Sequence, residues 1–435
     1  MPVRIQTRRG PNGRIHDIPT EPRSYTQGVT LNERRWFDLG DHPADAARSV
    51  EQWLFHDANG EDCLGALCEA FFSRMQNAGL DIDRATLHIG TLHPQLYGYA
   101  WIWSVRDMIC DELQVEARSR ETTAYKRNPL SRVIDHGERF RVNITDAEAR
   151  GDSSIMQELF DDGFTEYVTE PLSTGGTYHN AVSLATRANG GFGEDTFAHI
   201  RKLLQIFALH VERHIVMLIS RNIATTYLGE QAGTRVANGT IGRGAGASMD
   251  AIIWVSDLRG FTSLSDRLSN EDVTQLLNDY FAILAEAAMS KGGEVLKFIG
   301  DGLLVVFELS HFDSPTAAAE AAFCAAQDAL RGIEQMNQNA DALPGIENWR
   351  PLGSGIALHK GRVFFGNVGA PQRLDFTVIG SAVNAASRIE GLCKELGQPL
   401  LLSDRVRGLL SDDFTDHGEY GLRGQAAPMR VFSPV

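Results

Sequence analysis

The sequence predicts an α+β protein with two domains joined by a helical linker. The 435 residues are 43% hydrophobic and 22% charged, which is ordinary for a globular chain with sizeable cores. Apolar runs of strand length alternate with segments whose apolar residues recur every three or four positions, as they do in helices. A glycine-rich stretch at residues 239–246 interrupts this pattern, and we expect it to separate the domains.

Composition narrows the class of protein. A net charge of -15 without a basic stripe argues against nucleic acid as the main partner. The five cysteines are scattered and form no CxxC motif, so we expect reduced thiols in a cytoplasmic protein. The N-terminus lacks the apolar core of a secretory signal. The longest hydrophobic stretch, residues 203–219, is interrupted by residues such as Glu212 and Arg213, so we expect no membrane span.

The first half of the chain divides into three predicted segments. Residues 1–45 lack periodicity and are expected to form a flexible leader. Residues 46–199 mix helix-spaced apolar residues with strand-like runs, and residues 200–247 form a helical, glycine-rich linker. The run EPLSTGGTYHNAVSLAT, followed by GGFGEDTF and a long helix, resembles a GAF-like sensor domain. This resemblance implies an α/β domain that regulates the rest of the chain through an unknown small molecule or ion.

The long helix, expected from about Asp195 to Leu228, carries one apolar stripe. The stripe consists of Ile200, Leu204, Phe207, Val211, Ile215 and Leu218. Two interpretations stay open: the stripe packs on its own domain, or it joins two copies of the chain in a dimer. His210 and His214 are expected to be ordinary helix residues rather than ligands.

Two aspartates follow strand-like runs within residues 248–435. Asp257 ends the apolar run AIIWVS and precedes LRGFT, a turn that contains glycine. Asp301 lies at the tip of the Gly-Asp-Gly turn in EVLKFIGDGLLVVF, whose flanking runs predict a hairpin. Two carboxylates on neighbouring turns suit a pair of divalent cations on a triphosphate, with backbone N–H groups around the phosphate oxygens. Asp257 considered alone has an alternative role, which is to cap the next helix.

Three further side chains are candidates for substrate binding. Lys297 lies in the first strand of the hairpin, either as an edge lysine with a buried stem or as a donor to a base or phosphate. Asn384 and Arg388 follow the strand-like DFTVIG and lie four residues apart on one helix face. Together they suit a sugar and a pentacoordinate phosphate, whereas each alone fits an ordinary solvated helix residue.

The motifs SDLRGFT, KFIGDG and DFTVIGSAVNAASR, in this order and spacing, resemble the class III adenylyl and guanylyl cyclase catalytic domain. The resemblance covers residues 249–435. It implies a ferredoxin-like βαββαβ fold that converts ATP to cyclic AMP and pyrophosphate with two divalent cations, Mg²⁺ or Mn²⁺. It also implies a homodimer, because the family's sites form between two catalytic domains and this chain carries both sets of residues.

The resemblance implies a role for each matching residue. The implied metal-binding residues are Asp257, Asp301 and Leu258, the last through its backbone carbonyl. The implied phosphate-binding turn comprises Gly260, Phe261 and Thr262. The resemblance implies that Lys297 and Thr377 read the base. It also implies that Asn384 orients the ribose and that Arg388 stabilises the transition state. A lysine with a threonine resembles the subgroup that includes bicarbonate-responsive soluble adenylyl cyclases.

One position departs from the family pattern. Gly355 stands where many members carry an arginine that holds the terminal phosphates, and Arg350, Arg362 or Arg423 are the expected substitutes. Two other functions stay open. A guanylyl cyclase usually has an acidic residue in place of the lysine, and Lys297 argues against it. A cyclase-like domain that binds nucleotide without turnover is favoured only by Gly355.

Overall fold

A computed structural model describes most of the chain. The described residues are 5–9, 15–19, 25, 27–42, 49–172, 179–338, 351–421 and 427–435. The chain forms two compact units, Met1–Ile223 and Ala224–Val435.

The first unit is built on a seven-stranded antiparallel sheet. Its strands are β3 (Val29–Trp36), β4 (Arg84–Gly90), β5 (Leu96–Ser104), β6 (Ile109–Glu116), β7 (Phe140–Asn143), β8 (Glu166–Leu172) and β9 (Asn180–Thr186). They lie in the order β3-β6-β5-β4-β9-β8-β7. A separate hairpin consists of β1 (Ile5–Arg9) and β2 (Ile15–Pro19). The leader expected over residues 1–45 therefore contains strands, and β3 pairs along its length with β6 as an edge strand.

Helices cover both faces of this sheet. They are α1 (Val50–His56), α2 (Leu64–Asn77), α3 (Thr123–Arg127), α4 (Leu130–His136), α5 (Ala147–Arg150), α6 (Ser154–Asp161) and α7 (Glu194–Leu228). Because successive strand residues point to opposite faces, Leu87 of β4 packs in the core with α1, α2 and α7. His88 points to the other face, where α4 and α6 pack on β8 and β9.

The structure distinguishes the two interpretations of the apolar stripe on α7. Ile200, Phe207 and Val211 are fully buried in the core of the first unit, so these side chains are unavailable to a partner helix. Among the described helices, α7 alone is long and apolar enough to cross a membrane by length and composition. This is weak evidence for a membrane span, because core helices of soluble proteins meet the same criteria.

The second unit contains an eight-stranded sheet. Its strands are β10 (Gly246–Leu258), β11 (Glu294–Ile299), β12 (Gly302–Glu308), β13 (Ser354–Ala370), β14 (Arg373–Ile379), β15 (Leu400–Ser403), β16 (Phe414–Tyr420) and β17 (Met429–Pro434). The order is β11-β12-β10-β13-β15-β17-β16, and β14 pairs with the second half of β13.

The helices of the second unit are α8 (Glu230–Ala237), α9 (Phe261–Ser265), α10 (Asn270–Met289), α11 (Pro315–Gln338), α12 (Ser381–Glu395) and α13 (Asp404–Arg407). Alternate residues of β10 serve two cores. Ile252 and Trp254 pack with α10 and α11, whereas Ala251 and Ile253 pack with α8 and α12. Both faces of β10 are buried, which explains its continuous apolar run.

The predicted linker contains a helix that is attached to the second unit. Ala232 of α8 is fully buried in the core formed with Leu296 of β11. The Glu294 carboxylate accepts a 2.9 Å hydrogen bond from the backbone N–H of Gln231 in the first turn of α8. Burial raises the pKa of Glu294 to about 7, although the N–H groups of Gln231 and Ala232 act in the opposite direction. This carboxyl group ties α8 to the strand that carries Lys297.

The raised pKa of Glu294 predicts a pH-dependent stability. Its folded value of about 7 exceeds the reference value of 4.5, so its stabilising contribution is complete below about pH 4.5. That contribution, about 1–3 kcal/mol, is lost as the pH rises through 7. In Glu294→Gln we expect this decline to disappear, because an amide accepts the same hydrogen bond without ionising. Calorimetric midpoints between pH 5 and 8 measure the effect.

The exposed Glu286, on α10 of the same unit, supplies the control. Glu286→Gln should retain the wild-type slope of midpoint against pH. An unchanged slope in Glu294→Gln would contradict the assignment of this dependence to Glu294.

Candidate functional site

The two predicted metal-binding aspartates lie side by side. In the register of β10 with β12, Asp257 is opposite Gly302, which immediately follows Asp301. A Cβ atom at Gly302 would lie 2.5 Å from the Ser256 carbonyl oxygen and 3.4 Å from Asp257 Oδ1. Glycine therefore allows the turn between β11 and β12 to close against the end of β10. The strand register thus brings together carboxylates that are 44 positions apart in sequence.

The electrostatics of this pair suit a cation. Partial burial, and then the negative charge of Asp301, raise the pKa of Asp257, while the N–H of Leu258 lowers it. Like charges so close repel each other, and a divalent cation would relieve that repulsion. Carboxylate and carbonyl oxygens are ligands that Mg²⁺ prefers, usually with substrate phosphates completing its coordination. Asp257, Asp301 and the Leu258 carbonyl therefore fit the implied cations.

The described parts of the chain contain no group of three or more His, Cys, Asp or Glu side chains arranged to hold a metal ion. Two carboxylates without a third ligand residue would leave coordination positions for water or phosphate. All five cysteines are free, as expected from their spacing.

The turn after β10 presents backbone donors. Gly260 has a φ of 75° and precedes α9, which begins with Phe261 and Thr262. The first N–H groups of a helix have no partner within the helix, so this turn offers donors beside the aspartate pair. The N–H of Arg259 is used otherwise, since it donates to the Gly353 carbonyl over 2.8 Å.

A buried tyrosine supports the backbone at Asp257. The Tyr280 hydroxyl lies 2.8 Å from Ser354 Oγ, and Ser354 Oγ donates to the Asp257 carbonyl over 3.3 Å. Because the serine has a single hydroxyl proton, Tyr280 is the donor in the first of these bonds. Burial raises the pKa of Tyr280, and the charges of Asp257, Asp301 and Glu390 add to that effect. The tyrosine therefore stays protonated as a donor.

Sequence reasoning missed Glu390, a third carboxyl group near the pair. Burial, and then the charges of Asp257 and Asp301, raise its pKa to about 7, against the lowering effect of Arg259. Its carboxylate lies over Gly355, since a Cβ there would meet Glu390 Oε1 at 2.5 Å. Gly355 is opposite Asp257 in the register of β10 with β13. The space in which the family's arginine would begin is thus taken by Glu390.

No arginine that was expected to replace the family's arginine lies near Gly355 in the part of the chain that the structure describes. Arg362 lies on β13 seven positions beyond Gly355, about 23 Å along an extended strand. It is opposite Asp250, far from the aspartate pair in the same chain. Arg350 and Arg423 lie outside the described residues.

Lys297 contacts a residue that the sequence analysis did not single out. Its Nζ donates to the Asp375 carboxylate of β14. Thr377, the predicted second base-reading residue, lies two positions further on the same face of β14 and is half-buried. Within the described chain no hydrogen bond joins Lys297 to Thr377. Asp375 and Thr377 are two positions apart in a predicted strand, and this spacing was the sequence signal that could have identified Asp375 as a neighbour of the site.

Asn384 and Arg388 lie together on α12 but face away from the aspartate pair. A helix turns about 100° per residue, so Glu390 and Arg388 are separated by about 200° around the axis. Glu390 points to Gly355 beside Asp257. Arg388 therefore points away from Asp257, and in the described chain neither it nor Asn384 makes a side-chain hydrogen bond or ion pair. One copy of the chain thus presents two separate candidate half-sites, which are the aspartate pair and the face of α12 that carries Asn384 and Arg388.

Comparison with known proteins identifies the family of the second unit. Residues 247–433 match the family described as the adenylate and guanylate cyclase catalytic domain. This match confirms the class III cyclase resemblance for that region. The GAF-like resemblance of the first unit stays a prediction.

Relatives at modest identity carry related names. An adenylate cyclase of Anabaena cylindrica is 36% identical over 163 residues, which is 38% of this chain and 31% of that protein. Adenylate cyclase 1 of Rhizobium meliloti (strain 1021) is 28% identical over 237 residues, 54% of this chain and 32% of that protein. The matched regions thus span about a third of these relatives. The solved adenylyl cyclase CyaB from P. aeruginosa is 29% identical, with a TM-score of 0.39 over 43% of this chain and 94% of that one.

The aspartate pair predicts a stabilising effect of divalent cations. We expect Mn²⁺ at about 1 mM to raise the thermal midpoint of the full chain, because a ligand that binds only the folded state stabilises it. Asp301→Asn should lose this shift while remaining at least as stable without metal, since it removes the repulsion with Asp257. Thermal denaturation with and without Mn²⁺ measures both effects.

The exposed Asp313, in the same unit, supplies the matched control. Asp313→Asn should keep the full Mn²⁺ shift. An equal shift in wild type and Asp301→Asn would argue against a metal site at this pair.

Proposed function

We propose that residues 247–433, which form a catalytic domain of the adenylate and guanylate cyclase family, convert ATP into 3′,5′-cyclic AMP and pyrophosphate. The observation that carries this proposal is the apposition of Asp257 and Asp301 at the ends of neighbouring strands. The repulsion between the two carboxylates does not stabilise the fold. Two adjacent carboxylates do suit the divalent cations that accompany a bound triphosphate.

In the proposed reaction the ribose 3′-hydroxyl loses its proton to solvent, its oxygen forms a bond to the α-phosphorus, and the bond from that phosphorus to the pyrophosphate leaving group breaks. Two divalent cations, when bound, supply positive charge to the 3′-hydroxyl and to the triphosphate. Because nucleophile and electrophile belong to one molecule, the protein mainly fixes their geometry. Asn384 orients the ribose, and Arg388 stabilises the charge that develops on the phosphorus. The N–H groups at Gly260, Phe261 and Thr262 hold phosphate oxygens.

ATP is the proposed substrate because Lys297 stands at the base-reading position. Its ion pair with Asp375 fixes the direction of the ammonium group on β11. We propose that Lys297 and Thr377 together read the purine, as in the lysine–threonine subgroup. The adenylate cyclase names of the relatives from Anabaena and Rhizobium support the same choice.

We further propose that the complete site forms in a homodimer. The separation of Arg388 from Asp257 around α12 supports this, since a second copy must bring an arginine to the aspartates. Three large apolar residues beside the half-sites are exposed, as expected of a surface that a partner covers: Phe298, Ile299 and Ile379.

The first unit is proposed to regulate the cyclase as a GAF-like sensor, and the cyclase unit to have the ferredoxin-like βαββαβ fold. The strand order β11-β12-β10-β13, with α10 and α11 on one face, supports the latter.

We propose a cytoplasmic chain without a membrane span, because the apolar stripe of α7 packs in the core of its own unit.

An enzyme assay tests the activity. The purified full chain with Mn²⁺ and ATP should release cyclic AMP and pyrophosphate in equal amounts, and GTP should be a poorer substrate. Asp301→Asn should lower kcat about 100-fold or more, because it removes one of the two carboxylates that would hold the cations. Asp313→Asn should keep wild-type turnover. ATP binding without turnover would instead favour the non-enzymatic alternative, and faster cyclic GMP formation would favour a guanylyl cyclase.

A mixing experiment tests the shared site. Asp257→Ala and Asn384→Ala should each be nearly inactive, yet their mixture should recover up to about a quarter of wild-type activity. Random pairing gives half heterodimers, each with one intact site of two. A mixture of Asp257→Ala with Asp301→Ala is the matched control and should stay inactive, because both changes damage the same half-site. Absence of rescue in the first mixture would contradict shared sites.

A further inference from the structure

The ion pair between Lys297 and Asp375 joins β11 to β14 in the second unit. The Lys297 side chain is 43% exposed and the Asp375 side chain 49%. Within the described chain, each is the only ion-pair and hydrogen-bond partner of the other side chain. Exposed ion pairs contribute little to stability, because water solvates both charges well when they are apart. Stabilisation of the fold therefore does not account for this pair, which lies beside Thr377 on β14.

The strand that carries Lys297 has a β-bulge immediately before it. Val295 is opposite Val305 of β12 and Lys297 is opposite Leu304, so Leu296 is an extra residue in the pairing. Regular alternation would turn Lys297 to the face of Val295, which packs with α10 and α11. The bulge turns it instead to the face of Leu304, which packs with β14 and α12. The backbone of β11 thus directs Lys297 towards the strand that carries Asp375.

A lysine by itself does not distinguish adenine from guanine. Its ammonium group donates hydrogen bonds and accepts none. Both purines offer acceptors to such a donor, N1 and N7 in adenine and O6 and N7 in guanine. The lysine side chain is long and flexible, so a freely moving ammonium group reaches either set. Selection of one base requires a second group that fixes where the ammonium group lies.

Asp375 meets this requirement. Its carboxylate accepts a hydrogen bond from one of the three ammonium N–H groups of Lys297 and leaves two for a base. A hydrogen bond between two charged groups is about twice as strong as one between neutral groups, so a carboxylate holds the ammonium group better than a hydroxyl would. Thr377, the expected second base-reading residue, makes no hydrogen bond to Lys297 within the described residues.

We propose that Asp375 determines the preference for adenine over guanine by holding the ammonium group of Lys297 at one place beside the base. It is a positioning residue that acts through Lys297 and does not touch the reacting atoms. The inference rests on the proposed cyclase function and adds a further residue to the base site formed by Lys297 and Thr377.

Nucleotide binding without turnover tests this role separately from catalysis. The probes are 3′-deoxy-ATP and 3′-deoxy-GTP, which lack the attacking hydroxyl group, and isothermal titration calorimetry with Mn²⁺ measures their dissociation constants for the full chain. We expect wild type to prefer 3′-deoxy-ATP and Asp375→Ala to reduce that preference about tenfold, mainly through weaker binding of 3′-deoxy-ATP. The thermal midpoint of Asp375→Ala should match that of wild type, because the ion pair is exposed.

Three further variants separate positioning from other effects. Asp375→Glu keeps the carboxylate and should restore most of the preference. Asp313→Ala, at an exposed aspartate of the same unit, is the control and should keep all of it. Lys297→Met should reduce the preference as Asp375→Ala does, and the double variant should reduce it no further, because Asp375 acts through the lysine.

Two results would overturn the role of Asp375. One is an equal preference in wild type and Asp375→Ala. The other is an additional loss in the double variant with Lys297→Met, since Asp375 would then act independently of the lysine. Failure of the proposed function has a different signature, which is that the wild-type chain forms no cyclic nucleotide from ATP or GTP, whatever the two dissociation constants are.

Discussion

The second unit depends on one electrostatic constraint, which is the forced proximity of Asp257 and Asp301. The hydrogen-bonded register of β10 with β12 sets this proximity, and the close approach of Gly302 to the β10 backbone makes it possible. Ser354 donates a hydrogen bond to the Asp257 carbonyl, and the buried Tyr280 hydroxyl lies within hydrogen-bond distance of Ser354. The backbone that carries Asp257 is therefore held by buried, hydrogen-bonded groups. The fold supplies the packing energy that keeps these two like charges together.

Glu390 changes how the departure at Gly355 is understood. In sequence, a glycine in place of arginine looks like the loss of a phosphate-binding group. In the structure, the Glu390 carboxylate occupies that space, and Arg259 lies near enough to lower its pKa. Arg259 itself is anchored by the Cys393 and Gln398 carbonyls at the end of α12. The glycine and the glutamate are therefore coupled features of one local arrangement beside the aspartates.

The same unit separates its functional groups by secondary structure. Strand ends carry Asp257 and Asp301, and a strand pair carries Lys297 with Asp375. Helix α12 turns Arg388 away from the side that carries Glu390. Such a division leaves each copy incomplete and makes assembly a condition of activity under the proposed function. The Glu294 carboxylate lies three residues before Lys297 on β11 and accepts a hydrogen bond from the first turn of α8. Helix α8 is therefore bonded directly to the strand that carries Lys297.

The sequence by itself determined the local elements and the chemistry of the motifs. Short-range patterns are sufficient for this, because the run before Asp257, the Gly-Asp-Gly turn and the spacing of Asn384 and Arg388 each lie within one or two elements. Only the tertiary structure decided which distant groups meet. The apolar stripe of α7 fits a domain core and a dimer equally well, and its burial decided between them. The contact of Glu390 with Gly355 and the ion pair of Asp375 with Lys297 depend on strand register and helix placement, which local sequence spacing does not encode.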